Sequence, residues 1–330
     1  MMQMEFDGVI QEIVSQASDE FANLLRERRE LPRTTLVHSS RRGSYKVRLY
    51  PSEDAAKRKE QIVLRVRKDV PMPMFVGRDG PYLVFQYLPL DGKMSGRLIS
   101  TASSIGIILR NLSKYRPERN DVVDLDGEFR SWLNTLLSLG YLSQGILDPI
   151  WQRYQEEKPD PSIICLDHWD AMFHNFGQNE DQVYLLDEKH LRFSYACVSL
   201  VKPSLLMEAE HFKALLDAYG ESDTLQFYNT NRTFLRLYYL IAALYFYAQK
   251  QLDGSTQVPA NPRLRYYRGS LVRMVWRSPI RRIVESLAFT FRYPGDSVNA
   301  FLRRISGPLN VRKLIRRLWL DVKPWDEDAF

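Results

Sequence analysis

Residues 161–187 read as a short apolar strand, "PSIICLD", a polar turn, and a second apolar strand, "QVYLLD", that ends on an acid. Strand-like segments dominate before residue 90 and helical periodicity dominates after residue 95, so this small pair of strands lies inside the helical part. A repeating βαβ unit would alternate the two element types along the whole chain. Strands first and helices later imply an α+β arrangement with segregated layers. No internal repeat or low-complexity tract competes with that reading.

The strand-rich part is built as follows. Residues 5–30 carry Phe6, Val9, Ile10, Ile13 and Val14, then Phe21, Leu24 and Leu25, at steps of three and four, which predicts one or two helices closed by Pro32. "TTLVHSS" and "SYKVRLY" predict two strands of a hairpin with Gly43 at the turn. "PSEDAAKRKEQIVLRVRKDVP" is ambiguous: Ser52, Glu53 and Asp54 make a helix start, yet "QIVLRV" alone would pass as a strand. A short strand, a turn at "GRDG" and an apolar strand over 82–88 follow. Helices are then expected at "LISTASSIGIILRNLSKY", at "GEFRSWLNTLLSLGYL" and over 204–252. Within the last, "FLRLYYLIAALYFYAQKQL" is interrupted by Arg236 and falls short of the roughly 20 apolar residues a membrane span needs, so a buried helix is expected.

The polar turn carries the chemistry. His168, Asp170 and Asn175 stand in the spacing H-x-D-x-x-x-x-N, and Asp187 closes the next strand. Phosphoryl transfer uses such a set: one carboxylate orients the attacking hydroxyl, while an amide oxygen and a second carboxylate hold Mg²⁺ against nucleotide phosphates. Magnesium prefers oxygen ligands and keeps several waters, so one Asn and one Asp suffice.

"HWDAMFHN" resembles the H-G-D-x-x-x-x-N loop of the aminoglycoside phosphotransferase and choline kinase branch of the protein-kinase-like fold, and "LLDEKH" resembles its I-D-W/F strand end. "VPMPMFVGRDGPYLVFQYLPLDG" is similar to that family's hinge segment, and "SSIGIILRNLSKY" to the helix after it; the likeness covers roughly residues 36–200. It implies a two-lobed α+β fold with a helical extension over 1–34, a small β-rich nucleotide-binding lobe over 35–90, a larger helical lobe over 91–255 and a basic helical extension over 256–330. It also implies ATP and Mg²⁺ as cofactors, Asp170 as catalytic base, Asn175 and Asp187 as metal ligands, and His168 as a brace for the loop. The acceptor would be a hydroxyl of a small molecule, a saccharide or a lipid-linked sugar. Trp169 and "EKH" after Asp187 depart from the pattern, and Glu188 could share or replace the role of Asp187.

The phosphate-binding side leaves two versions open. In one, "SSRRGSYKV" with Gly43 and Ser44 is the hairpin over the phosphates and Arg65 in "IVLRV" is the basic residue. In the other, "SYKVRLY" carries that residue as Lys46 or Arg48, and 52–68 is a helix offering Glu60 as its partner. An incomplete clamp also fits a catalytically inactive relative that serves as a scaffold.

Charge is unevenly distributed. Residues 261–320 hold 14 Lys and Arg against Glu285 and Asp296, a net +12, which leaves −6 on the rest of a chain with net charge +6. Val311, Leu314, Ile315 and Leu318 form an apolar stripe opposite Arg312, Lys313, Arg316 and Arg317. The pattern suits an anionic membrane surface, another polyanion, or an ordinary surface helix; no specific nucleic acid is expected. Cys165 and Cys197 have no metal-ligand spacing and suit a reducing compartment. The acids in "MMQMEFDGVIQEIV" argue against a secretory signal, so the expected location is cytoplasmic, with the inner membrane face as the place where the basic segment would act.

Overall fold

The structure, a computed structural model, describes residues 9–18, 33–39, 43–90, 99–119, 121, 123–160, 162–220, 223–252 and 262–275. The chain divides into two compact units, Met1–Glu118 with Ile164–Gln226, and Arg119–Ile163 with Phe227–Phe330. It is an α+β protein whose sheet lies early in the chain and whose helices dominate later.

The first unit begins with helix α1 (9–18) and an antiparallel sheet of β1 (Arg33–Ser39), β2 (Gly43–Leu49), β3 (Phe75–Asp79) and β4 (Tyr82–Gln86) in the order β1-β2-β4-β3. Ser39 stands opposite Gly43, whose φ of +94° admits the turn at a cost few other residues would tolerate. Strand alternation divides β2 into two faces. Tyr45, Val47 and Leu49 join Val37 and Val84 under Val9, Ile10, Ile13, Val14 and Ala17 of α1. Lys46 and Arg48 occupy the other face.

The ambiguous segment is a helix, α2 (Glu53–Val66). The Ser52 side chain accepts a hydrogen bond from the Ala55 amide at 3.1 Å, acids fill the first turn, and Ala56, Val63 and Val66 are buried. A strand over 61–66 would have turned Val63 and Val66 to opposite faces.

Helices α3 (Ile99–Leu112) and α7 (Ala209–Tyr219) pack closely, because a Cβ at Gly106 would stand 2.2 Å from the Leu215 carbonyl oxygen. The two strands read inside the helical part do not pair with each other. β5 (Ile164–His168) pairs antiparallel with β8 (Leu191–Tyr195), while β7 (Gln182–Leu185) pairs with β6 (Phe176–Asn179). "FGQN" and "LRFSY" are too short and too mixed in composition to announce themselves as strands. The short helix α6 (Val201–Leu206) follows β8.

The second unit holds α4 (Leu125–Ser138), α5 (Gln144–Glu157), most of α8 (Asp223–Leu252) and α9 (Pro262–Val275). Its core is aromatic: the Phe129 ring stacks on Tyr154 at 4.1 Å and on Tyr238 at 5.7 Å, with Trp132 and Phe234 beside them. The apolar segment from 234 onward is therefore an internal helix, and among the described residues no helix is long and apolar enough to cross a membrane. α8 is kinked at Asn231, whose side-chain amide donates to the Phe227 carbonyl at 2.9 Å. In α9 the basic residue Arg268 is buried and donates to the Tyr141 carbonyl at 3.1 Å, so it serves packing. The stripe over 311–318 lies outside the described residues.

Candidate active site

β5 is buried from Cys165 to His168 and carries the chain directly into the polar turn. Asp167, 2% exposed, accepts the His168 amide at 2.9 Å and the Ser199 amide at 3.0 Å. Burial pushes its carboxyl up to about 6, against the pull of those bonds. The Asp170 carbonyl then gathers the turn: it accepts the Met172 amide at 2.9 Å and the Asn175 side-chain amide at 2.6 Å. The Asn175 carbonyl accepts the Leu186 amide at 2.9 Å, and His168 Nε2 donates to the Asp187 carbonyl at 2.8 Å. The second strand end is thus registered against the turn by one backbone bond and by the His168 side chain, which acts as a brace. Its Nδ1 is buried with no hydrogen-bond partner among the described residues, and burial keeps the ring neutral.

The two carboxylates sit among cations. Burial would raise Asp170, but Lys202 Nζ at 2.5 Å from its Oδ1 holds it ionised well below the usual carboxylate range. Asp187 is likewise held low, against burial, by Arg48 Nη2 at 2.9 Å from Oδ1 and by Lys189 Nζ at 2.8 Å from Oδ2. His190 Nε2 lies between them, 3.8 Å from Asp170 and 3.6 Å from Asp187. Burial pushes that imidazole down to about 3, so it stands there as a neutral ring.

β2 approaches the same place from the sheet. Lys46 Nζ donates to the Leu186 carbonyl at 2.5 Å and lies 3.0 Å from Glu188 Oε2; Arg48 Nε lies 2.6 Å from Glu188 Oε1. Burial lowers Lys46 although Glu188 pulls the other way. From α2, Lys59 reaches the carbonyls of Lys189 and Leu191, and burial brings its ammonium down to about 8.

Asp170, Asn175, Asp187 and Lys46 are therefore brought together from separate elements, with Arg48 beside them. Arg65 is not: because 53–66 is helical, it points to Glu118 at 3.1 Å and to the Arg116 carbonyl at 2.6 Å. Glu60 is paired with Arg78 at 2.7 Å, away from Lys46. Ser44 is held across the hairpin, its hydroxyl 2.7 Å from His38 Nδ1 and its carbonyl accepting the Tyr87 amide at 2.8 Å; Gly43 supplies the turn. Trp169 has a partner the motif could not supply: the Arg192 guanidinium lies 4.4 Å from its ring centroid. The motif spacings do not single out Lys202. Its signal is a lone charge in the apolar run "ACVSLVKPSLLM", where a buried Lys demands a carboxylate.

The donor set suits Mg²⁺. With Asn175 Nδ2 committed to the Asp170 carbonyl, its Oδ1 is the atom left for a cation, and Asp187 has carboxylate oxygens, here paired with Arg48 and Lys189, that a divalent ion would take over; both are the hard ligands that ion prefers.

No family model and no curated protein matches the chain in sequence. Solved structures do match in shape. The ethanolamine kinase of Plasmodium vivax aligns with TM-score 0.56 at 12% identity, over 76% of this chain and 83% of that one. The choline kinase LicA of Streptococcus pneumoniae aligns with TM-score 0.55 at 12% identity, over 79% and 98%. The chain has the protein-kinase-like fold. A third member of that fold, APH(2″)-IIa in its gentamicin complex, aligns with TM-score 0.53 at 12% identity, over 81% and 97%. LicA has also been solved with AMP, at TM-score 0.54 to this chain. Within the protein-kinase-like fold, Asp170 and Asn175 belong to the turn after β5, and Asp187 to the segment just after β7.

Proposed function

We propose that this protein is an ATP- and Mg²⁺-dependent phosphotransferase acting on a hydroxyl of a small molecule or saccharide. One observation carries the reading: Asp170, Asn175 and Asp187 are fixed on two backbone-registered strand ends while β2 brings Lys46 to the same cluster. The fold of choline, ethanolamine and aminoglycoside phosphotransferases supports it.

Asp170, ionised and aimed by Lys202, accepts a hydrogen bond from the acceptor hydroxyl and takes its proton as the oxygen bonds to the γ-phosphorus. The bond from that phosphorus to the β,γ-bridging oxygen breaks, and ADP carries the electron pair away. Asn175 and Asp187 would hold Mg²⁺, which when bound neutralises charge on the phosphates. Lys46 and Arg48 supply fixed positive charge on the same side. The amides of Gln86 and Tyr87 are already used by the Met74 and Ser44 carbonyls, so the adenine would read the chain from Leu88 onward.

The test is thermal denaturation of wild type and Asp187→Asn with and without ATP and Mg²⁺. A ligand that binds only the native state raises the melting temperature, by an amount set by its concentration over Kd. Wild type should shift and the variant should shift less. No shift of wild type at saturating nucleotide defeats the reading.

A further inference from the structure

In a phosphate clamp built on a strand, the basic side chain needs a fixed carboxylate, or it relaxes towards water and spends binding energy on being reordered. The place to look for that carboxylate is α2, the helix next to the clamp strand. In this chain α2 does not provide it. Its Glu60 is 2.7 Å from Arg78 on β3, and the α2 side chain that does enter the site, Lys59, is a cation bound to the backbone carbonyls of Lys189 and Leu191. The carboxylate comes instead from the segment after β7. Glu188 is 1% exposed, its Oε2 lies 3.0 Å from Lys46 Nζ, and its Oε1 lies 2.6 Å from Arg48 Nε and 3.4 Å from the Tyr50 hydroxyl, which donates to it. Residues 46, 48 and 50 share one face of the strand and its continuation, so a single side chain reads all three. The Lys46–Leu186 bond then adds a second fixed point for the ammonium.

We infer that Glu188 is the positioning residue of the nucleotide site: it holds Lys46 and Arg48 in place for the phosphates, and α2 takes no part in that role. The inference rests on the phosphotransferase reading. It separates Glu188 from its neighbour: Asp187, which also pairs with Arg48, is the metal ligand, and Glu188 is the carboxylate that Lys46 and Arg48 share.

Titration calorimetry with MgATP and with adenosine tests it. Adenosine carries no phosphate, so it reports the base pocket alone. Glu188→Gln should weaken MgATP binding about tenfold, the equivalent of one lost charge-assisted hydrogen bond, and leave adenosine binding unchanged. Glu60→Gln should leave both unchanged. Adding Glu188→Gln to a chain that already carries Lys46→Met and Arg48→Met should weaken MgATP no further, because Glu188 acts through those two cations. Equal MgATP affinity in wild type and Glu188→Gln overturns the inference, as does an equal loss for adenosine or a tenfold effect of Glu60→Gln. If Glu188→Gln does not fold, Glu188→Asp, which keeps the charge but withdraws it by one methylene, is read by the same criteria. Failure of wild type to bind MgATP at all defeats the phosphotransferase reading itself, a distinct result.

Discussion

Asp167 allows a worked prediction because its environment is closed and simple. It is almost fully buried, its two oxygens accept the backbone amides of His168 and Ser199, and burial is the largest influence on its carboxyl. The carboxyl goes from 3.8 in the unfolded chain to about 6 in the native protein. Between those values the native state keeps a proton that the unfolded state has lost, so stability falls as pH rises through that window. The difference corresponds to about 3 kcal/mol. Asp170, Asp187 and Glu188 act in the opposite sense, since their carboxyls are held low and their contribution is lost only on further acidification. The comparison that isolates Asp167 is therefore wild type against Asp167→Asn, by urea denaturation followed through tryptophan fluorescence from about pH 4 to about pH 7. The substituted side chain would turn an amide group toward one of the two backbone donors and shift the whole curve down by about 1–3 kcal/mol. That offset is not the test. Between about pH 4 and neutrality the difference between the curves should move by about 3 kcal/mol in favour of the variant, closing or reversing the offset, because only wild type gives up that stability. Curves that run parallel would refute the reasoning.

Three further outcomes are expected. Gly106→Ala places a methyl 2.2 Å from the Leu215 carbonyl oxygen, so α3 and α7 must separate, at a cost of about 2 kcal/mol or more in thermal or urea denaturation. Lys202→Met removes the cation that aims Asp170 and should lower kcat by about tenfold to a hundredfold with little change in the KM for ATP, measured by ADP release once an acceptor is found. The protein should float with liposomes rich in anionic lipid at low salt and be released at high salt, through the net +12 carried by residues 261–320; absence of binding at low salt returns those arginines to packing and solvation.

The readable parts of this chain are those whose signal is local. Asp170, Asn175 and Asp187 stand out because a tight turn fixes short spacings and a buried strand must be apolar. β-Branched and aromatic residues in "SYKVRLY" announced β2, and Tyr and Ala at helical spacing announced the buried part of α8. What escaped depends on distant partners. "QIVLRV" fits a helix or a strand by pattern alone, and the Ser52 cap with burial of Ala56, Val63 and Val66 decides for the helix. That decision places Arg65 beside Glu118, while β2 carries Lys46 to Glu188. β8 pairs with β5 across an intervening hairpin, a choice no local composition encodes. The role of Trp169 waited on Arg192, which a register of β5 against β8 places next to it.

The stretch from Leu186 to Leu191 has a mechanical consequence. Its main chain is bolted down at Leu186 by Asn175 and Lys46, at Asp187 by His168, at Lys189 and Leu191 by Lys59, and at His190 by the Trp169 amide. To swing the Asp187 carboxylate out of the cluster would break several of these bolts at once, each worth about 1 kcal/mol net. Four broken together leave an outward-swung form at about one molecule in a thousand. A segment fastened in this way is a fixture, not a toggle.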